Sequence, residues 1–209
     1  GSGSGTTAKR LISRGHSVEC VSPSMFLSSE IEKKIGDKVI IHKTVFENLE
    51  IDKKFDLILF SESFQYVPIE ESLDKCINLL NPNGHILICD FFQKDPTHFT
   101  ELRGGHPFPR FNKAINHFPI KEIINLDITK ETAPTIQILD NFLTQFGVPL
   151  KALINSYFEI QYPSILKLIK WKYRQRIKKL NRIYFSGELN VREYLKEKTY
   201  RLMLFQKDK

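Results

Sequence analysis

Hydrophobic residues along the first half of the chain alternate between helical spacing and short strand-like runs. Helical spacing covers residues 6–14, 25–34 and 69–80, and apolar runs cover 17–21, 38–42, 55–60 and 85–91. The run FDLILF, residues 55–60, is typical of a strand buried on both faces of a sheet. Helices that alternate with such strands predict a parallel sheet covered by helices.

Turn and loop signals separate these elements. The sequence NPNG, residues 81–84, predicts the end of the preceding helix and a turn before the next strand. Residues 95–110 are rich in proline, glycine and histidine, and they predict a loop. Strands are then expected at 122–127 and 199–206, with helices at 136–146 and 165–180.

The charge of the chain is concentrated in one place. The formal net charge is +7, but eight Lys and Arg and no acid lie between Lys167 and Arg182. The rest of the chain holds 23 basic and 24 acidic side chains. This balance argues against a broad nucleic-acid-binding surface.

The basic segment has an apolar stripe, made of Leu166, Ile169, Tyr173, Ile177 and Leu180. A core-facing helix with a solvated basic face, over residues 165–182, is the first interpretation. Recruitment of an anionic substrate and weak contact with an anionic membrane surface remain the alternatives.

Cysteine use and hydropathy favour a cytoplasmic protein. Cys20, Cys76 and Cys89 are far apart and lack the spacing of metal ligands, so we expect reduced core thiols and no metal site. No run approaches the ~18 apolar residues of a membrane span, and no signal peptide is visible.

The chain opens with GSGSG, followed at once by a predicted helix. Glycines at a strand-to-helix corner let the main chain approach a ligand and take positive φ, while the N–H groups of the first helical turn point at that ligand. The spacing of Gly1, Gly3 and Gly5 differs from the G-x-G-x-x-G of dinucleotide sites and suits a ligand without phosphate. An expression linker is the alternative interpretation of GSGSG.

Three segments resemble successive motifs of class I S-adenosylmethionine (SAM)-dependent methyltransferases. They are GSGSGTTAKRLISRGHSVECVSPS, KFDLILFSESFQYVP and LDKCINLLNPNGHILICDFF, in that order. The resemblance implies a Rossmann-like three-layer sandwich with a mostly parallel sheet, an antiparallel closing strand and a helical insertion before that strand. It implies a core at residues 1–131 and 198–209, and a lid or substrate-specificity element at 132–197. It also implies SAM as cofactor and a small-molecule or lipid-like methyl acceptor.

The same resemblance assigns roles to residues. Gly1, Gly3 and Gly5 would pass beneath the methionine and ribose of SAM. Ser22, followed by Pro23, stands where the family usually has an acid that binds the ribose hydroxyls, and serine offers no bidentate carboxylate. The acid that the family often has after the third strand is also absent, and Val45 or Phe46 stands at that position. The whole expected cofactor set is Gly1, Gly3, Gly5, Ser22, Pro23, Phe46, Ser61 and Glu62.

Candidate groups near the reacting methyl are His106 or Glu62 as a base and Tyr66 as a wall of the site. Each also has a structural interpretation. His106 would bond backbone within its loop, Glu62 would cap the following helix or face solvent, and Tyr66 would pack as an aromatic.

The family's first strand, which precedes the glycine loop and lies mid-sheet, is absent from this chain. We therefore expect unpaired edges beside an apolar slot, low stability and weak SAM binding. We also expect an upstream segment that ends in a short hydrophobic strand, then Asp or Glu and one more residue before Gly1.

Two other functions are open. The missing acid at Ser22 fits a methyltransferase-like binding module without turnover. A nicotinamide-dependent oxidoreductase would need wider glycine spacing and an acid at position 22, and the sequence has neither.

Overall fold

The computed structural model describes residues 1–95, 104–185, 187 and 189–208. These residues form two compact units. One unit contains Gly1–Phe92, Gly105–Leu126 and residues 201–208, and the other contains Asp127–Tyr200 with residues 93–95 and 104.

The elements follow the predicted alternation in the first unit and are mostly helical in the second. The strands are β1 (Glu19–Val21), β2 (Ile40–His42), β3 (Phe55–Ser61), β4 (Leu80–Gln93), β5 (Ile120–Asp127) and β6 (Lys198–Lys207). The helices are α1 (Thr6–Ser13), α2 (Met25–Ile35), α3 (Ile69–Leu79), α4 (Phe108–Ile115), α5 (Thr129–Phe142), α6 (Val148–Gln161), α7 (Pro163–Lys172), α8 (Arg174–Tyr184) and α9 (Val191–Glu197). A π-helical turn, Leu143–Gly147, joins α5 to α6.

The strands form two separate sheets. β1 and β2 pair in parallel, and the other four strands have the order β3-β4-β6-β5. β3 and β4 are parallel. Lys94, just after β4, donates its N–H to the carbonyl of Glu197, just before β6, at 3.0 Å. The end of β4 therefore meets the start of β6, as in an antiparallel pair, and the larger sheet is mixed.

The NPNG segment does not form the predicted turn between elements. α3 ends at Leu79 and β4 begins at once with Leu80, which pairs with Phe55, while His85 pairs with Leu57. Residues 81–84 are thus extra residues on one strand, and Asn83 takes a φ of 60° there. A bulge of this kind accommodates turn-forming residues inside a strand.

The prediction that residues 55–60 are buried on both faces is wrong. Phe60 is buried, but Asp56 and Leu57 are exposed. In β2, Ile40 is also exposed. Within the described residues β1, β2 and β3 each have one edge that pairs with no other strand, so the exposed residues of β2 and β3 lack a neighbouring strand on that side.

Aromatic side chains fill the core of the first unit. Phe64 is fully buried and packs edge-to-face on Phe60 at 5.2 Å and on Phe111 at 5.5 Å between ring centroids. Burial of one such side chain contributes about 1.5–3 kcal/mol. A smaller cluster, Ala8, Cys20 and Ile31, packs α1 and α2 on the β1–β2 pair.

Two predictions about loops and helices need correction. Residues 95–110 were expected to be a loop, but α4 already begins at Phe108; residues 96–103 lie outside the described part of the chain. The predicted helix at 136–146 is the end of α5, which begins earlier at Thr129, and continues as the π-helical turn.

The predicted core-facing helix over residues 165–180 is also wrong. The chain breaks at Tyr173 (φ −104°, ψ 18°), which gives α7 and α8 instead of one helix. None of the stripe residues Leu166, Ile169, Tyr173, Ile177 and Leu180 is buried. The buried core of the second unit is small and centres on Ala133 and Tyr194. In the part of the chain that the structure describes, no helix combines the length and the apolar composition needed to cross a membrane.

Candidate functional site

The glycine-rich opening of the chain is fixed to the end of β1. The Gly1 amino group donates to the carbonyl of Val21 at 2.7 Å, and Ser2 Oγ donates to the same oxygen at 3.2 Å. The Gly5 N–H closes the loop on the carbonyl of Ser2 at 3.1 Å. Residues 1–5 are therefore a structured loop that leads directly into α1.

Two positions of this loop are glycine for different physical reasons. Gly5, the N-cap of α1, is buried with a φ of 77°, and a Cβ there would lie 3.0 Å from Ile31 Cγ1. Gly3 has a φ of 54°, yet a Cβ there would meet no protein atom within 4 Å. Gly5 thus lets α1 and α2 pack closely, whereas the space beside Gly3 is open to a ligand.

The loop also reaches the end of β3. A Cβ on Gly1 would lie 2.1 Å from Ser63 Cβ, so only glycine fits between the ends of β1 and β3. The carboxyl ends of β1 and β3, each a member of a parallel pair, and the first turn of α1 therefore meet at one place. Open α/β sheets bind their ligands at this edge.

The predicted ribose-binding position is unusual. Ser22 is buried, its N–H donates to the carbonyl of His42 at 3.0 Å, and its Oγ accepts from the Ser24 N–H at 3.3 Å. Ser24 in turn caps α2 by accepting from the Leu27 N–H. Pro23 is exposed beside it. A small hydroxyl, already used in a local turn, therefore stands directly after β1, at the position where the sequence resemblance predicted a ribose-binding residue.

Phe46, Ser61 and Glu62 surround the end of β3. The Phe46 ring is nearly buried and packs edge-to-face on Phe60 at 5.1 Å. Ser61 is the last, exposed residue of β3. Glu62 is exposed, takes a φ of 52°, and donates its N–H to the carbonyl of Cys89 at 2.8 Å.

The turn at residues 63–67, which follows β3, is held from two sides. The Asp90 carboxylate accepts from the Gln65 N–H at 3.1 Å and from Gln65 Nε2 at 3.3 Å. Burial raises the pKa of the Asp90 carboxyl, and the negative charge of Glu62 acts in the same direction. His106 Nε2 lies 2.9 Å from the carbonyl oxygen of Val67 and 3.1 Å from that of Phe64, and both oxygens accept from it.

Tyr66 lies in this turn and is 78% exposed. The structure brings Glu62, Tyr66 and the His106 ring to the same turn. Sequence reasoning did not find Ser63 or Gln65, because their contacts join positions 25 to 62 residues apart along the chain. It also missed Lys34, whose Nζ donates to Ser4 Oγ and Thr6 Oγ1 beside the glycine loop.

Comparison with known families explains this geometry. A sequence model described as a methyltransferase domain matches residues 1–88. Residues 1–88 are thus similar to a methyltransferase domain, the kind of domain that the sequence motifs predicted. The match begins at Gly1, which counts against a linker origin of GSGSG. The methyl donor of this family is SAM.

Solved structures share the fold of this chain at low sequence identity. The chain aligns over its full length with a protein provisionally assigned as a sarcosine dimethylglycine methyltransferase from Galdieria sulphuraria (TM-score 0.71, 14% identity, 76% of that chain). It aligns over 99% of its length with a geranyl diphosphate C-methyltransferase from Streptomyces coelicolor A3(2) (TM-score 0.68, 14% identity, 67% of that chain). It also aligns over its full length with the [4+2]-cyclase SpnF (TM-score 0.61, 14% identity, 73% of that chain).

These similarities establish the α/β Rossmann-like methyltransferase fold. No curated protein sequence matches the chain. Within the described ranges, no cluster of three or more His, Cys, Asp or Glu could hold a metal ion.

Proposed function

We propose that this domain transfers a methyl group from SAM to a small-molecule or lipid-like acceptor. The observation that carries the proposal is the glycine loop, which is bonded to the end of β1, abuts Ser63 after β3 and leaves open space beside Gly3. Its residues suit the methyl donor, because they offer backbone and hydroxyl groups and no phosphate-binding glycine spacing.

When bound, SAM supplies a methyl group that its sulfonium charge already activates for transfer. The protein has to hold donor and acceptor in line and remove a proton where the acceptor carries one. Gly1, Gly3 and Gly5 would support the methionine and ribose, Ser22 and Pro23 would face the ribose, and Phe46 would pack near the adenine. Ser61 and Glu62 would form the rim towards the acceptor.

We propose Glu62 as the proton acceptor. It is exposed at the rim and held in a left-handed conformation that is rare for glutamate, and such strain concentrates at functional sites. The Nε2–H of His106 already donates to two carbonyls, so His106 acts as a positioning residue for the turn that carries Tyr66. Tyr66 then forms one wall of the acceptor site.

The substitution Gly3→Ala tests the cofactor site. Its methyl group would enter the space that we assign to SAM, and we expect the SAM affinity to fall by at least about tenfold, the equivalent of roughly 1.4 kcal/mol. Isothermal titration of SAM into the full chain measures the change.

The matched control is Gly15→Ala. Gly15 also has a positive φ (88°) and no protein atom near its Cβ position, but it follows the end of α1. Both substitutions therefore carry similar backbone strain, of about 1–2 kcal/mol, and should lower the melting temperature alike. Equal SAM affinity of the two variants would refute the assigned site.

A screen of candidate methyl acceptors tests the class of substrate. Radiolabelled SAM is offered with small amines such as sarcosine and with prenyl diphosphates, the classes named for two proteins that share the fold. We further propose that residues 132–197 select the acceptor while residues 1–131 and 198–209 form the SAM-binding core. Exchange of segment 132–197 for that of a relative should then alter the preferred acceptor and leave SAM affinity unchanged.

A binding module without turnover is the second candidate, and the serine at position 22 favours it. The fold also serves other chemistry, since one similar structure is a cyclase. SAM binding without methyl transfer to any acceptor class would support the module. Absence of SAM binding together with binding of NAD would support the oxidoreductase that the sequence left open.

A further inference from the structure

Three consecutive helices of the second unit expose apolar side chains instead of burying them. In α6, α7 and α8, residues 148–184, no residue is buried. We refer to these residues as the α6–α8 segment. Monomeric proteins rarely leave a large contiguous apolar surface in water, and such surfaces mark interaction sites.

The exposed apolar residues follow the helix repeat. On α6 they lie at spacings of three, four and three residues, which places them on one face, and they are between 54% and 76% exposed: Leu150, Leu153, Tyr157 and Ile160. On α7 the exposed residues include Ile165, Leu168 and Trp171, and Trp171 is 76% exposed. The segment therefore presents aliphatic and aromatic side chains outward over two helices.

The same segment is strongly basic. Residues 148–184 contain nine Lys and Arg and a single acid, Glu159, which pairs with Lys170 at 3.1 Å. The rest of the chain holds 22 basic and 23 acidic side chains. The segment thus carries a net charge of +8 on a molecule that is otherwise nearly neutral.

The combination of apolar exposure and positive charge selects among partners. A second copy of the chain would bring two surfaces of charge +8 together, which like-charge repulsion opposes. A nucleic acid would use the cations but not an aliphatic stripe on α6. An anionic lipid surface satisfies both features, because acyl chains take apolar side chains, headgroups attract Lys and Arg, and Trp and Tyr prefer the interface.

We propose that the α6–α8 segment docks on an anionic membrane surface. The exposed residues of α6 and α7 insert at the level of the acyl boundary, and the cations of α7 and α8 contact lipid phosphates and carboxylates. The docking is peripheral, so it recruits the domain to lipids and involves no membrane-spanning helix.

Trp171 is the only tryptophan of the chain, so its fluorescence reports directly on the proposed surface. The full chain is titrated with vesicles of phosphatidylcholine alone and of phosphatidylcholine with 30% phosphatidylserine. We expect a blue shift of the emission only with the anionic vesicles, together with quenching by lipids brominated in the acyl chain. Equal binding to neutral vesicles, or a blue shift without acyl-chain quenching, would overturn the proposal.

Two sets of variants separate charge from insertion. The triple variant R176Q/K178Q/K179Q should bind anionic vesicles about a hundredfold more weakly, given roughly 1 kcal/mol for each basic residue at such a surface. Its control, K38Q/K113Q/K121Q, removes the same charge from exposed positions of the first unit and should bind like the wild type. The variant L153S/I160S should lose acyl-chain quenching, whereas M25S/F26S, which changes exposed residues of α2, should keep it.

Other partners give different results in the same experiment. A blue shift that grows with protein concentration and without vesicles indicates a second copy as the occupant and overturns the proposal. Full competition by soluble glycerophosphoserine indicates recognition of a free anionic ligand and also overturns it. Far-ultraviolet circular dichroism of every variant shows that changes in binding do not arise from unfolding.

Discussion

At the scale of single residues, two non-glycine residues of the described part of the chain adopt a left-handed backbone conformation, and one of them lies at the proposed site. Glu62 has a φ of 52° after β3, and Asn83 has a φ of 60° in the bulge of β4. This conformation costs an L-residue about 1–2 kcal/mol, and less for asparagine. Strain at Asn83 has a local cause in the bulge, whereas strain at Glu62 holds a carboxylate at the rim of the proposed site.

This pair of residues gives a prediction about Glu62. Glu62→Gly and Asn83→Gly should each raise the free energy of unfolding by about 0.5–1 kcal/mol, because glycine takes the left-handed conformation without steric cost. Only Glu62→Gly should lower kcat, by about 10²–10⁴-fold if Glu62 removes a proton from the acceptor. Thermal unfolding and methyl-transfer rates measure the two effects.

A substitution that keeps the size of the side chain completes this test. Glu62→Gln removes the charge, so it should lower kcat as Glu62→Gly does. Glu71→Gln changes an exposed acid of α3 and should leave kcat unchanged. A kcat of Glu62→Gln within threefold of the wild type would show that Glu62 is not the base.

The residue scale also shows why only part of the site was predictable. The roles of Gly3 and Gly5 follow from local chain geometry. Three alternating glycines directly before a helix indicate that geometry in the sequence. The support from Asp90 and His106 depends on contacts that span 25 and 42 positions, and sequence pattern carries no signal for them. Both residues stabilise the turn at 63–67, although they lie far from it along the sequence.

At the scale of elements, the sequence predicted the existence of helices and strands better than their limits. β1 and β2 are shorter than the apolar runs 17–21 and 38–42, and β4 is longer than the run 85–91 because its bulge absorbs NPNG. The break at Tyr173 was not predictable, since neither proline nor glycine lies near it and the apolar spacing continues across it.

The start of β6 gives a prediction about pH. Burial lowers the pKa of Lys198 from 10.5 to about 8, and Lys198 Nζ donates to the carbonyl of Gly104 at 2.6 Å. Between these two pH values the unfolded chain binds more protons at this side chain than the folded chain. The contribution of Lys198 to the free energy of unfolding should therefore increase as the pH rises from about 8 to 10.5.

Lys198→Met removes this contribution, so the variant should be more stable than the wild type at pH 7 and lose that advantage towards pH 10. Urea denaturation at several pH values measures the difference. Lys121→Met, at an exposed position of β5, is the control and should follow the wild type. A constant difference between Lys198→Met and the wild type across this range would contradict the assignment.

At the scale of the whole molecule, the sheet of the first unit is interrupted. β1 pairs only with β2, and β3 pairs only with β4, within the described residues. Gly1 lies between the ends of β1 and β3, where it bonds Val21 and abuts Ser63. A strand that ran towards Gly1 from the other end of this gap would be parallel to both neighbours, as the order of a Rossmann-like sheet requires.

A designed extension before Gly1 tests this arrangement. Five to six alternating valine and isoleucine residues, followed by Asp and one further residue, should pair with the free edges of β1 and β3 and cover exposed residues such as Leu57. Covering these exposed residues stabilises the folded state.

We expect the extended chain to melt several degrees higher, since about 1 kcal/mol corresponds to roughly 2–4 °C at this size. It should also bind SAM more tightly, because the new Asp would lie beside the glycine loop and the paired strand would fix the backbone that leads into Gly1. An extension of the same composition with two prolines in the strand cannot form the ladder and serves as control. If both extensions leave the melting temperature and SAM affinity unchanged, the gap between β1 and β3 does not accept a strand, and the bonds to Val21, Ser2 and Lys34 are enough to hold the shape of the glycine loop.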